Sequence, residues 1–205
     1  MIIDFHMHER TFSSDSQMNL KEMIFEAKRI GLDGICITDH DEYGLADYAA
    51  KLSKIEEYPI FVGVEYLSLE GDIVAFGINE LPKAHLPAQE FIDWVNNRGG
   101  VCIAAHPFRS NSRGLEENLL TIKGLTGIEV LNGSTSNEAN LKAMEYCMKL
   151  ALQPIGASDC HNLISLGRYA TNVPMECKTV EDLVKALKTV RCEPVILSGY
   201  KKFEF

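Results

Sequence analysis

Five of the six histidines fall in short clusters: Asp4-Phe5-His6-Met7-His8, Thr38-Asp39-His40, Ala105-His106-Pro107 and Ser158-Asp159-Cys160-His161. Each cluster ends a run that reads as a β-strand. Two further acids, Glu65 and Glu129, follow apolar runs of the same kind, IFVGVE and GIEV. Imidazoles and carboxylates converging from several strand ends are what a multinuclear cation site needs. The donors are nitrogen and oxygen without thiolate, which suits Zn²⁺, Mn²⁺ or Fe²⁺. Alternation along a strand projects His6 and His8 together, and likewise Asp159 and His161. Glu65 emerges from an apolar strand, where an unpaired charge would be costly, so a bridging role suits it. Taken singly, HxH is a common chance pattern, Asp39-His40 reads equally well as a structural pair and His106-Pro107 as a loop. Their joint occurrence at strand ends is the specific signal. His85 fits no cluster and is expected in solvent.

The elements that would position these groups alternate along the chain. Strands are expected at 1–8, 34–40, 58–68, 71–78, 100–107, 127–133, 153–161 and 193–198. Helices are expected at 19–30, 45–55, 87–97, 137–150 and 179–190, with a short one at 116–122. Asn19 with Glu22 forms a capping-box pattern and Gly31 closes that helix. Such alternation implies an α/β fold with a mostly parallel sheet. Short helices and numerous strands favour a closed or nearly closed barrel, whose strand ends share one rim. No repeat or linker divides the chain, so residues 1–205 are read as one domain. Neither GxGxxG nor GxxxxGK[ST] occurs, which removes the usual support for a nucleotide-binding fold.

Composition bounds the rest. Hydrophobic residues make up 46% and charged residues 24%, as in an ordinary globular domain. The net charge of −9 disfavours binding to an extended nucleic acid. There is no secretory signal pattern and no apolar run of about 18 residues, so no membrane span is expected and a cytoplasmic location is the default. The six cysteines form no CxxC pair, and a disulfide framework is not expected.

In order, HxH, SD, TDH, an acid after the third strand, HP, IEV and SDxH resemble the PHP (polymerase and histidinol phosphatase) superfamily. The resemblance runs from Asp4 to the LGRYAT segment near residue 170, and GIEVLNG and GASDCH look most like its short stand-alone phosphoesterases. It implies a distorted (β/α)7 TIM-like barrel with two or three divalent metal ions. Carried over by motif, His6, His8, Asp159 and bridging Glu65 would hold one ion, and Glu65 with His106 a second. Asp15, from FSSDS, would join His40 and His161 around a third. The slot after the IEV strand varies in the family, and Glu129 is the candidate here, with Asn132 beside it. Asp4 and Asp39 would orient histidines from behind.

The activity this implies is hydrolysis of a small phosphomonoester or nucleotide-type phosphoester by metal-activated water. Glu65, His40 and Asp159 are expected nearest the chemistry. Arg109 and Arg168 each follow a ligand-bearing strand and are candidates for the phosphate, which arginine grips bidentately; Arg113 and Lys123 are weaker candidates. The partner is then a small phosphorylated substrate. Alternatives are a histidinol phosphatase, for which the chain is short, and a nuclease acting at nucleic-acid ends. A non-catalytic PHP module would be expected to show eroded ligands. An amidohydrolase-type barrel would carry a strand-end bridging lysine, and none is apparent.

Overall fold

The computed structural model describes residues 1–197. Ten strands and five α-helices are formed among the described residues. The first sheet contains β1 (Ile2–Asp4), β2 (Gly34–Ile37), β3 (Ile60–Val62), β9 (Ala170–Asn172) and β10 (Glu193–Val195), in the order β10-β9-β1-β2-β3. The second contains β4 (Val64–Leu67), β5 (Asp72–Phe76), β6 (Val101–Ala104), β7 (Gly127–Asn132) and β8 (Gln153–Ala157), in sequence order.

Helix α1 (Leu20–Ile30) starts at the Asn19–Glu22 capping box, and its C-terminal carbonyls are met by left-handed Gly31. Helices α2 (Ala46–Glu56), α3 (Ala88–Asn97), α4 (Asn137–Leu150) and α5 (Val180–Thr189) follow, with a 3₁₀ turn at Glu116–Leu120. The inward faces of both sheets share one core that includes Ile3, Phe5, Phe61, Phe76 and Ile103. Leu183 and Leu187 of α5 plug this core from one end. Met23 and Ala27 of α1 and Ala49 and Leu52 of α2 cover the first sheet, while Phe91 of α3 and Ala143 and Cys147 of α4 cover the second. All six cysteines are free and buried.

The expected barrel is not formed as a closed ring, and the sheets are mixed. β1, β2 and β3 run parallel, as do β6, β7 and β8. β5, however, is antiparallel to both neighbours, and β9 to β1 and β10. The segment between β4 and β5 is a tight hairpin, so no helix crosses back there and one parallel unit is lost. The chain passes from the first sheet to the second at Gly63. A Cβ there would lie 2.5 Å from Phe76 Cε1 and 2.6 Å from the Ala75 carbonyl oxygen, so the close approach requires glycine. Two isolated parallel bridges, Met7 with Cys160 and His40 with Glu65, tie the sheets together at one end. The short β9 was not anticipated. The expected strand at 193–198 is found at Glu193–Val195, and its last residue lies outside the described residues.

Candidate metal centre

The strands stop short of the histidines. β1 ends at Asp4, β2 at Ile37, β6 at Ala104 and β8 at Ala157, and the histidines and Asp159 lie on the turns just beyond, while Glu65 sits in β4 and Asp72 opens β5. His106 and Asp159 take φ values of 27° and 50°. That left-handed backbone costs a non-glycine residue roughly 1–3 kcal/mol and is typical of functional sites. Buried Phe5 and Met7 anchor the histidine-bearing segment in the packing on either side of it. Asp4 does the same for the backbone: its carboxylate accepts the N–H groups of Ser158 (2.9 Å), Gly167 (3.1 Å) and His6 (3.4 Å).

Four donor atoms surround a first position. His6 Nε2 lies 3.0 Å from His8 Nε2, 3.4 Å from Glu65 Oε2 and 3.7 Å from Asp159 Oδ1. His8 Nε2 lies 3.5 Å and 3.4 Å from the same two oxygens. A tetrahedral ion with bonds of about 2.0–2.1 Å places its donors about 3.3 Å apart, so the spacing fits a divalent cation. Glu65 Oε1 turns the other way, 2.8 Å from His106 Nε2, which is 3.7 Å from Asp72 Oδ2 and 3.9 Å from Asp159 Oδ2. This defines a second position. A third lies at the cavity lip, where Asp15 Oδ2 is 3.2 Å from both His40 Nε2 and His161 Nε2. The His8 ring stacks 4.3 Å from each of those imidazoles.

The donors are buried yet underused. Seven buried side-chain atoms lack a hydrogen-bond partner among the described residues, and six of them belong here: His40 Nδ1, Glu65 Oε2, Asp72 Oδ1, His106 Nδ1, Arg109 Nε and Asp159 Oδ1. Glu65 Oε2 and His40 Nδ1 are only 2.8 Å apart but misaligned for a hydrogen bond. Unpaired buried polar atoms are costly, so their concentration marks a place built for another partner. The donor set fits divalent cations.

Burial by itself would raise the Glu65 and Asp159 carboxyls. The charge on His6 outweighs it, helped at Glu65 by the hydrogen bond from His106, and holds both well below their ordinary values. Burial would likewise lower His6, but Asp159, Glu129 and Glu65 hold it well above its ordinary value. His8 is pushed down to about 4 by burial and by the charge on His6. His6 Nδ1 lies 2.8 Å from Glu129 Oε1, a carboxylate oxygen that can only accept, so that nitrogen carries a proton.

Of the residues expected from sequence, His6, His8, Asp15, His40, Glu65, His106, Asp159 and His161 converge. Glu129 is a correction: it stands behind His6 instead of beside the cation positions. Its Oε1 is 2.8 Å from His6 Nδ1, and its Oε2 accepts the His106 N–H and the Asn132 amide, each at 2.8 Å. Asp39 reaches His8 only through Ser13, whose hydroxyl donates to Asp39 at 2.8 Å and lies 3.3 Å from His8 Nδ1.

The cavity over the cluster is about 170 Å³ and is lined by Arg109, Asn111 and Arg113 besides the donors. Arg109 pairs with Asp159 and is 3.2 Å from Asn132 Oδ1. Arg113 Nε donates to Asp72 Oδ2 at 2.6 Å. Arg168 is a second correction: it is exposed, bonds the Gly133 carbonyl oxygen at 3.0 Å and is not part of the lining. His85 is 2.5 Å from the Leu67 carbonyl oxygen. Sequence reading missed Asp72, Asn111 and the stronger claim of Arg113. A larger cavity of about 760 Å³ lies between α2 and α5, but it shares no residue with the cluster.

Comparison with known proteins gives a consistent result. The family model described as PHP domain matches residues 4–149, and one described as PHP-associated matches residues 137–192. A Caldicellulosiruptor bescii protein named "Probable phosphatase" is 24% identical over 87% of this chain and 88% of its own length. An uncharacterised Methanocaldococcus jannaschii protein is 30% identical over 58% of this chain and 68% of its own. A Bifidobacterium adolescentis crystal structure, provisionally described as a metal-dependent phosphoesterase, superposes with a TM-score of 0.67 at 18% identity, covering 91% of this chain and 95% of that one. At that identity the likeness is one of fold.

Proposed function

We propose that this chain, which belongs to the PHP domain family, is a metal-dependent phosphoesterase that removes a terminal phosphoryl group from a small molecule. The observation that carries the reading is one small cavity where imidazoles and carboxylates spaced to hold cations meet two arginines. His6, His8, Glu65 and Asp159 would hold one ion, Glu65 and His106 a second, and Asp15, His40 and His161 a third. Divalent ions in such sites supply Lewis acidity and bring the pKa of water towards neutrality. Glu129 keeps the His6 ring oriented, and Asp159 and Asp72 set the two guanidinium groups at the cavity wall. Arg109 and Arg113, which line the cavity, would grip phosphate oxygens, which a planar guanidinium matches bidentately.

Among the described residues, the lining contains no serine, threonine or cysteine, so water is the expected nucleophile. The cavity of about 170 Å³ falls short of the roughly 300 Å³ at the lower end of ordinary ligand pockets, so the phosphoryl end enters and the leaving group stays outside. That favours a monoester or nucleotide over a long polymer, in line with the net charge of −9. The test is phosphate release from p-nitrophenyl phosphate, nucleotides, sugar phosphates and histidinol phosphate, before and after metal stripping. Activity should vanish with the metal and return with it, and Asp159→Ala should abolish both metal binding and turnover. Hydrolysis untouched by complete metal removal would overturn the proposal.

A further inference from the structure

The second cation position differs from the first in its donors. The first offers two imidazoles and two carboxylates. The second offers the single imidazole of His106, Glu65 Oε1 and Asp72, with Asp159 Oδ2 3.9 Å from His106 Nε2. Asp72 is 1% exposed. Arg113 fixes it twice: its backbone carbonyl oxygen accepts the Asp72 N–H at 2.8 Å, and its Nε donates to Asp72 Oδ2 at 2.6 Å. Oδ1 is left buried with no partner. A buried, rigidly held carboxylate with one free oxygen beside an imidazole and a second carboxylate is a ligand arrangement.

Building on the metal-centre reading above, we propose that Asp72 is a cation ligand at this position and makes it the oxygen-rich member of the cluster. It takes a hard divalent ion of the Mn²⁺ type, while the His6–His8 position takes a borderline ion such as Zn²⁺. The reason is donor hardness: carboxylate oxygen favours Mg²⁺ and Mn²⁺, whereas imidazole favours zinc, which otherwise outcompetes manganese at a shared nitrogen-rich site. Arg113 contributes by holding the Asp72 carboxylate in place: its Nε donates to Oδ2, the oxygen 3.7 Å from His106 Nε2, and Oδ1 keeps no partner.

The test is metal partitioning, read independently of turnover. Metal-stripped protein is equilibrated with enough Zn²⁺ for the histidine-rich positions and a large excess of Mn²⁺, then desalted. Bound metals are counted by elemental analysis, and bound Mn²⁺ by electron paramagnetic resonance. The wild-type chain should retain a Mn²⁺ equivalent. Asp72→Asn should lose that equivalent and keep its zinc, and Asp72→His should exchange it for zinc. Retention of wild-type Mn²⁺ by Asp72→Asn would overturn the assignment, as would zinc in every position of the wild-type protein; the latter measurement stands even if a variant fails to fold. The expected partitioning in a protein that hydrolyses no phosphoester would uphold the assignment while overturning the phosphoesterase reading.

Discussion

Replacing Glu129 by glutamine tests whether the residue behind His6 sets that ring's tautomer. In the wild-type chain the carboxylate can only accept, so His6 must carry a proton on Nδ1 and would turn the Nε2 lone pair to a bound cation. Glutamine keeps one acceptor and gains an NH₂. If its oxygen turns to His6, the NH₂ faces the N–H of His106 and the amide of Asn132, leaving two buried donors unpaired at about 1–3 kcal/mol each. If its oxygen serves those two donors, its NH₂ faces His6 and only the acceptor for His6 Nδ1–H is lost. The second arrangement costs less. His6 then accepts at Nδ1 and moves its proton to Nε2, where it opposes the cation. Loss of such an outer partner lowers metal affinity about 10- to 100-fold, equivalent to about 1.4–2.8 kcal/mol. The assay is titration of stripped protein with Zn²⁺ against a chromophoric chelator, with a thermal melt to confirm folding. Wild-type affinity in Glu129→Gln would refute the tautomer argument. Complete loss of a metal equivalent, as expected for Glu65→Gln, would make Glu129 a ligand after all.

Two further outcomes follow from the same geometry. Burial raises Asp4, Asp39 and Asp72 each to about 6, with the charges of neighbouring Glu9 on Asp39 and Glu65 on Asp72 adding to the effect, and His6 is also raised; these groups bind protons more readily folded than unfolded. Their contribution is therefore present at about pH 4 and is lost as pH rises through 6 and beyond, opposed only in part by His8. Metal-stripped protein should accordingly melt higher at pH 5 than at pH 8, an unchanged or reversed order by calorimetry counting against it. Asp4→Asn would turn an NH₂ towards at least one of the N–H groups that the carboxylate now accepts, costing about 1–3 kcal/mol in chemical denaturation; an unaltered midpoint would dispose of that role.

The histidines were readable because each lies just past a strand whose apolar pattern is plain. Glu65 and Asp159 were readable for the same reason. Asp72 escaped because β5 runs antiparallel, so the end of that strand facing the cluster is its first residue, whereas the histidines all follow their strands. The Glu-Gly-Asp turn before GDIVAFGI was the available clue to that reversal. Glu129 was misplaced because β7 shifts register between Glu129 and Leu131. That irregularity breaks simple alternation and lets Asn132, three residues on, bond the Glu129 carboxylate and Asp159. Arg168 follows its ligand strand in sequence but turns to the Gly133 carbonyl, while Arg113 is carried back to the site by the loop after His106. Asp15 was recoverable only by resemblance, since an aspartate in a serine-rich loop has no periodicity to betray it. The closed ring was over-read from strand count, because no local pattern reports where a ladder of hydrogen bonds gives out.

Where it gives out has a mechanical consequence. Single bridges at Met7–Cys160 and His40–Glu65 are the main-chain stitches between the two sheets at this end. The cation donors are divided across the same seam: His6, His8 and His40 follow strands of the first sheet, while Glu65, Asp72, His106 and Asp159 belong to strands of the second or follow them. An ion held by both groups rivets the halves of the molecule together, so chelation should loosen the whole rim and raise amide exchange around residues 5–8, 38–41 and 158–161 well before the distant end, plugged by α5, gives way.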